Sequence, residues 1–146
     1  MLDVPIILTS AIPDIMGPTI PELTEALSDL ENVERTIISA WQDDRIRRAV
    51  DESGRSKLVF GAIGTNVCLV HAAIDAVADG YEAWGAIDLS GTSNEILRNA
   101  SIEQMKQAGV GITTGAGVIM RILGDNARPV AKDVYDAMEP LFAFAA

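Results

Sequence analysis

The sequence predicts an α/β fold of three layers, α/β/α, built on a mostly parallel sheet. Three observations carry this. Short apolar runs alternate with helical segments at a spacing that suits strand–helix–strand crossovers. The run Lys57 to Ile63 (KLVFGAI) is nearly continuous in apolar character, as in a strand covered on both faces. Helical stretches stop on glycine at Gly80 and Gly109, where a left-handed residue ends a helix without a steric cost.

Taken in order, Val4 to Ser10 is short and β-branched and reads as the first strand. A loop with Pro13, Gly17 and Pro18 follows. Thr19 and Glu22 have the spacing of a capping box, and Pro21 suits the first turn of a helix to about Leu30. Arg35 to Ser39 is a candidate second strand. Asp43 to Glu52 is amphipathic, with Ile46 and Val50 four apart on one face. After the strand Lys57 to Ile63 comes a turn at Gly64-Thr65-Asn66, then an apolar helix Val67 to Ala78. Tyr81 to Ile87 is the next strand. Thr92 and Glu95 form a second capping-box pair, opening a helix to about Ala108. Val110 to Thr113 is the last short strand, followed by helices Gly115 to Leu123 and Val130 to Met138 and an apolar tail, Leu141 to Ala146.

The 146 residues suit a single domain, 1–146, large enough for one core. The net charge of −10 disfavours a phosphate-backbone partner, so no nucleic acid is expected. There is no charge-free apolar run long enough for a membrane helix, and the N-terminus lacks the basic flank of a secretory signal. One cysteine forms no internal disulfide, which fits a cytoplasmic setting. One histidine, His71, and no paired-cysteine motif argue against a metal site, and no cofactor is expected.

In open parallel sheets ligands bind beyond the carboxyl ends of the strands. That rule points to Ser10, Ala40-Trp41, Gly64 to Cys68, Asp88 to Thr92, and Thr113-Thr114. Cys68 is the chemical candidate. If Thr65 or Asn66 caps the helix, Cys68 lies in its first turn, where unpaired amides carry roughly half a positive charge. Such a field favours thiolate over thiol, and the same amides stabilise an oxyanion. The plain alternative is a small buried hydrophobe between Val67 and Leu69. Asp88 ends a strand at the same edge, as a binding group, a replacement base or a loop cap. Thr92 and Asn94 are candidate pocket residues, and Trp41 is either a pocket wall or core. His71 is one turn past Cys68 on the helix. The glycines at 109, 111, 115 and 117 lack the spacing of a dinucleotide loop.

The stretch Gly61 to Thr114 resembles the isochorismatase-like hydrolases, which include nicotinamidases and N-carbamoyl amidohydrolases. The matching residues are Gly61 or Gly64, Thr65, Cys68, Gly80, Tyr81 and Glu82, then Asp88, Ser90, Gly91, Thr92, Asn94 and Glu95 in a D-x-S-G-T-x-N-E loop. The loop is most similar to an oligomeric branch of the family. The resemblance implies a Rossmann-like α/β/α fold, a homo-oligomer, a small-molecule substrate, and a Cys-Asp-Lys triad with Cys68 as nucleophile. It also implies a cis peptide at Ile63-Gly64 and an oxyanion hole made by the amides of Gly64 and Cys68. Substrates would be small amide, ureido or vinyl-ether compounds.

Two departures accompany the resemblance. The family aspartate ends a first strand that this sequence is expected to lack, so no aspartate here maps onto it. The family lysine falls a few residues before Ser39-Ala40-Trp41, where this sequence offers Arg35 and no lysine; arginine keeps charge but not the compact ammonium of lysine. The absent strand would lie mid-sheet. The expectation is therefore that the true start lies upstream, that Val4 to Ser10 pairs directly with Lys57 to Ile63, that another segment fills the gap, or that a neighbouring subunit does. The apolar tail is a second candidate for covering a neighbour. Two further readings stand beside the hydrolase: a non-catalytic oligomeric relative, and a nucleotide-binding domain.

Overall fold

The computed structural model describes residues 2–142. Five short strands fall into two parallel groups. β1 (Leu8–Ala11) pairs with β2 (Asn32–Arg35), Leu8 opposite Asn32 and Ala11 opposite Arg35. β3 (Lys57–Phe60), β4 (Glu82–Ala86) and β5 (Gly111–Thr113) form the second group in that order, with Val59 opposite Trp84 and Gly85 opposite Ile112. No described ladder joins β1 or β2 to β3. This corrects the expectation of direct pairing or a filled gap. Ile7, just ahead of β1, packs on the core that also contacts Leu58 and Phe60, so side chains rather than backbone bonds hold the groups together.

Helices cover the strands as the alternation predicts, and the fold is the expected three-layer α/β/α arrangement. α1 (Pro13–Met16) and α2 (Pro21–Ala26) are short and bury no residue. α3 (Asp44–Ser53) buries Ile46 and Val50, with the Asp43 side chain accepting from the Arg45 amide as its cap. α4 (Val70–Ala78) and α5 (Glu95–Gln107) pack on β4 and β5 and on each other. Their core comprises Leu69, Val70, Ala73, Ala76, Met105 and Val110, with Trp41 and Val50. α6 (Gly115–Leu123) and α7 (Ala131–Phe142) share a second cluster of Leu123, Ala131, Val134 and Met138. The tail expected to cover a neighbour, 141–146, lies outside the described side chains.

Several boundaries moved for identifiable reasons. β1 starts at Leu8 rather than Val4, because Pro5 has no amide to give a ladder and Asp3 has φ of 51°. The second strand occupies Asn32–Arg35, ahead of the expected Arg35 to Ser39. α2 begins on Pro21 with Ile20 as an unassisted cap, so Thr19 plays no capping part, and the helix ends at Ala26 instead of Leu30. α5 is capped by Asn94, whose Oδ1 accepts from the Leu97 amide at 3.0 Å. The three-residue capping reach is the one expected, displaced by two positions from Thr92. β3 is covered on one face only: Leu58 and Phe60 face the core, while Lys57 and Val59 are exposed.

Candidate active site at the carboxyl edge of the sheet

Between β3 and α4 the chain makes one turn of π-helix, Thr65–Leu69, entered through Gly64. Gly64 has φ of 93°, a conformation open to glycine and strained for other residues. The Gly64 carbonyl gathers three amides: Val67 at 3.0 Å, Cys68 at 2.9 Å and Leu69 at 3.4 Å. Leu69 is fully buried and anchors the turn, while Cys68 is a free, half-buried thiol on its outer side. π-turns are rare and concentrate at functional sites.

A second carbonyl fixes this turn from outside. The Gly91 oxygen accepts from the Gly64 amide at 3.2 Å, the Thr65 amide at 2.7 Å and the Thr65 hydroxyl at 2.7 Å. The Gly91 amide returns to the Ala62 carbonyl at 3.0 Å. The neighbouring Ser90 hydroxyl, 6% exposed with its residue, donates to the Ala86 carbonyl at 2.7 Å and accepts from the Ala62 amide at 3.3 Å. The loop after β4 is thus laced to the end of β3 and holds the cysteine turn. Ser90 and Gly91 appear in the sequence only as parts of a motif match. Their bracing role depends on a fold-level contact between two loops that neither loop's pattern reveals.

These bonds correct two expectations. Thr65 does not cap the helix; its hydroxyl is spent on Gly91, and the residue is fully buried. The amides of Gly64 and Cys68 are both engaged, so they do not form a free oxyanion pair. Among the described hydrogen bonds, the Asn66 amide is the one in this turn without an acceptor. The Ile63-Gly64 peptide is trans, like every described peptide bond, and the left-handed Gly64 makes the sharp bend instead.

The other candidates divide by location. Asp88 is exposed, and its Oδ1 accepts from the Gly115 amide at 2.8 Å, where it meets the positive end of α6. Thr92 is half-buried with its hydroxyl on the Asn94 carbonyl at 3.3 Å, and Asn94 caps α5, so both lie near the Gly91 brace. α5 packs against the π-turn, bringing its amino end to the same edge. Arg35 is 7% exposed; its guanidinium donates to Thr9 Oγ1 at 3.1 Å and to the carbonyls of Ile38, at 2.8 Å, and Ile37. None of its described bonds reaches the cysteine turn. His71 is exposed on α4.

Trp41 takes the second of the two places expected for it, the core. It is 3% exposed, edge-on to Tyr81 at 4.9 Å and to Phe60 at 6.5 Å, with its indole donating to Asp79 Oδ2 at 2.7 Å. Asp79 follows the carboxyl end of α4, eleven residues past Cys68, or about 16 Å along a helix. Trp41 is therefore core at the opposite edge of the sheet and not a wall of the cysteine site. Two surface depressions of about 420 Å³ each are open dishes at that far edge, sharing Asp51, Asp79 and Tyr81. Among the described residues no group of His, Cys, Asp and Glu is placed to hold a metal. No described helix is long and apolar enough to cross a membrane. No described side chain is hydrogen-bonded to the Cys68 sulfur.

Comparison with known proteins decides the lineage. The isochorismatase domain model matches residues 2–117, most of the chain. The chain belongs to the isochorismatase family. It is 32% identical over 110 residues to the probable hydrolase YcaC of Escherichia coli, covering 75% of this chain and 53% of YcaC. It is 29% identical to isochorismatase domain-containing protein 2 of Xenopus laevis, covering 95% of this chain and 67% of that protein. The chain thus spans about half to two-thirds of the length of these relatives. Among solved structures, YcaC of Pseudomonas aeruginosa, described with hexane-2,5-diol and covalent acrylamide, superposes with a TM-score of 0.86 at 26% identity, covering 95% of this chain and 71% of that one. The E. coli YcaC structure, described as an octameric hydrolase of unknown specificity, gives 0.82 at 28%, covering 94% and 74%.

Proposed function

We propose that the chain is a hydrolase of isochorismatase type with Cys68 as its nucleophile. The observation that carries this is a half-buried free thiol on a braced π-turn at the carboxyl edge of the sheet, two residues past an amide, that of Asn66, with no acceptor among the described residues. The thiolate attacks the carbonyl carbon of a small amide or ureido compound; a vinyl ether is electron-rich and takes the sulfur at its oxygen-bearing carbon only after a proton has been added to the neighbouring alkene carbon. In the amide case a sulfur–carbon bond forms, the carbonyl electron pair moves onto oxygen, and the Asn66 amide faces the developing charge. Collapse expels the amine, which takes up a proton, and water then cleaves the thioester to regenerate the thiol. Thr65 positions the turn, Thr92 and Asn94 border the site, and Asp88 holds the start of α6 against it. Arg35 acts through the carbonyls it ties down after β2. No cofactor enters this scheme. The protein works as a homo-oligomer, as the E. coli relative's octamer suggests, on a small molecule rather than nucleic acid or membrane.

One observation favours a second reading, a non-catalytic relative that keeps the scaffold: no carboxylate or cation is hydrogen-bonded to the Cys68 sulfur among the described residues. Iodoacetamide alkylation followed across pH separates the two. A nucleophilic Cys68 reacts well below about pH 8, and Cys68→Ser abolishes the reaction. A thiol that stays silent until denaturant is added ends the hydrolase reading.

A further inference from the structure

Two charged side chains are buried among the described residues, Arg35 and Asp43, each 7% exposed. They differ in their partners. Both Asp43 oxygens are taken by Arg45: Oδ2 accepts from its guanidinium at 2.7 Å, and Oδ1 from its Nε and its backbone amide, each at 3.0 Å. Arg35 forms no ion pair with any described carboxylate. Its Nε–H goes to Thr9 Oγ1, and Nη1 goes to the carbonyls of Ile37 and Ile38, all neutral acceptors. Of the five donors on a guanidinium, the two on Nη2 have no described acceptor. Nor is Nη2 sealed in. The one buried side-chain polar atom without a partner among the described residues is Asn32 Oδ1, so Nη2 meets solvent. A buried cation without a counter-charge is costly and rarely retained. The sequence carries 21 acids against 11 bases, so acids were not scarce.

We propose that Arg35 Nη2 is the receptor for the carboxylate of a small-molecule ligand. The site stands on Arg35 and does not require Cys68 to be reactive. Its place in the fold suits a ligand: Arg35 is the last residue of β2, at the carboxyl end of a parallel strand, where open α/β sheets bind small molecules. The segment that holds Nη1 faces solvent there, with Ile37 and Ile38 at 41% and 60% exposed. Three bonds fix the guanidinium before any ligand arrives, so little side-chain freedom is lost on binding. The charge arithmetic selects the ligand class. Asp43 and Arg45 cancel, which leaves the single positive charge of Arg35. One nitrogen with two protons matches one singly charged group, and charge-assisted bonds from guanidinium to carboxylate are strong for their number. A phosphate brings a second charge and a third oxygen that Nη2 cannot serve, into a chain whose net charge is already −10.

Thermal unfolding of the intact chain at pH 7 tests this, with sodium acetate titrated against sodium chloride at equal ionic strength. Acetate is expected to raise the wild-type midpoint saturably, by about 5 °C at ten times its dissociation constant. Acetamide, the neutral molecule of the same shape, is expected to give no saturable rise. Arg35→Gln is expected to lose the saturable part and keep only the general salt response. Cys68→Ser is expected to keep the full acetate response, so that failure of the hydrolase reading and failure of this one are read separately. If Arg35→Gln fails to fold, the wild type answers alone. Its Arg35 Nε–H signal in nitrogen-15 spectra, identified by contact with Thr9, is expected to move saturably with acetate and to stay still with acetamide. A wild type that ignores acetate overturns the proposal, whether Nη2 is empty or taken by a side chain of another copy. So does an acetate response that Arg35→Gln keeps or Cys68→Ser loses, or an Arg35 signal that acetate leaves in place.

Discussion

Replacing Thr65 with valine probes the bond that seats the cysteine turn. The side chain is fully buried, and its hydroxyl donates to the Gly91 carbonyl at 2.7 Å. Valine keeps the branched shape and loses the donor. A buried neutral hydrogen bond contributes about 1 kcal/mol net. The Gly91 oxygen keeps two amide donors, so no unsatisfied-acceptor cost is added. A methyl group sits poorly at hydrogen-bond distance from an oxygen, so the Gly91 loop must also shift slightly. The expected destabilisation is about 1–2 kcal/mol, read from urea unfolding. Thr65→Ser is the matched control: it keeps the hydroxyl and removes one buried methyl, at about 1 kcal/mol. Stability alone therefore separates the two variants poorly, and Cys68 alkylation separates them well. Thr65→Val is expected to change the alkylation rate because the turn loses its brace, whereas Thr65→Ser keeps the wild-type rate. The bracing argument is refuted if the serine variant perturbs alkylation as much as valine does, or if valine unfolds at the wild-type urea concentration.

Two further predictions concern charge. Asp88→Ala removes the side-chain acceptor of the Gly115 amide and is expected to cost about 1 kcal/mol in chemical unfolding while leaving Cys68 alkylation at the wild-type rate; a large loss of alkylation would instead make Asp88 part of the reacting centre. Asp43 has its carboxyl held down from 3.8 to about 2, first by the hydrogen bond from the Arg45 guanidinium and then by the Arg45 backbone amide. A depressed carboxylate contributes stability that is complete above its unfolded value and is lost as pH falls through the folded one. Wild-type stability is therefore expected to decline between about pH 4 and pH 2 in part through Asp43, and Asp43→Asn to show a shallower decline over that window by circular dichroism. Equal slopes would exclude Asp43 from the acid response.

Much of the scaffold was legible because it rests on local chemistry. The apolar run at β3, the glycines after α4 and α5 and the amphipathic spacing of Ile46 and Val50 each reflect one segment's own preferences, and each element formed where they indicated. Caps were legible in kind and misplaced in position, since Thr92, Asn94 and Glu95 lie so close together that only tertiary packing selects Asn94. The separation of β1–β2 from β3 was not legible, because pairing is a relation between distant segments. Trp41 shows the same limit. Its proximity to a strand end suggested the reactive edge, but the carboxylates Asp75 and Asp79 on α4 draw its turn, Ala40–Gln42, the other way: Ser39 donates to Asp75 at 2.6 Å and Trp41 to Asp79 at 2.7 Å. The position of Cys68 at a helix entrance was readable; the consumption of its own amide by the Gly64 carbonyl four residues back was not, because it follows from the left-handed Gly64 starting the turn earlier than the residue types suggest.

α4 is gripped at both extremities. Its entrance is tied to Gly91 and its far end to the Ser39–Gln42 segment through two carboxylates one turn apart. A rod clamped twice can neither slide along its axis nor roll about it without breaking one of the clamps. The Cys68 sulfur, at the entrance of the rod, is therefore held against the Gly91 loop by bonds at both of its ends.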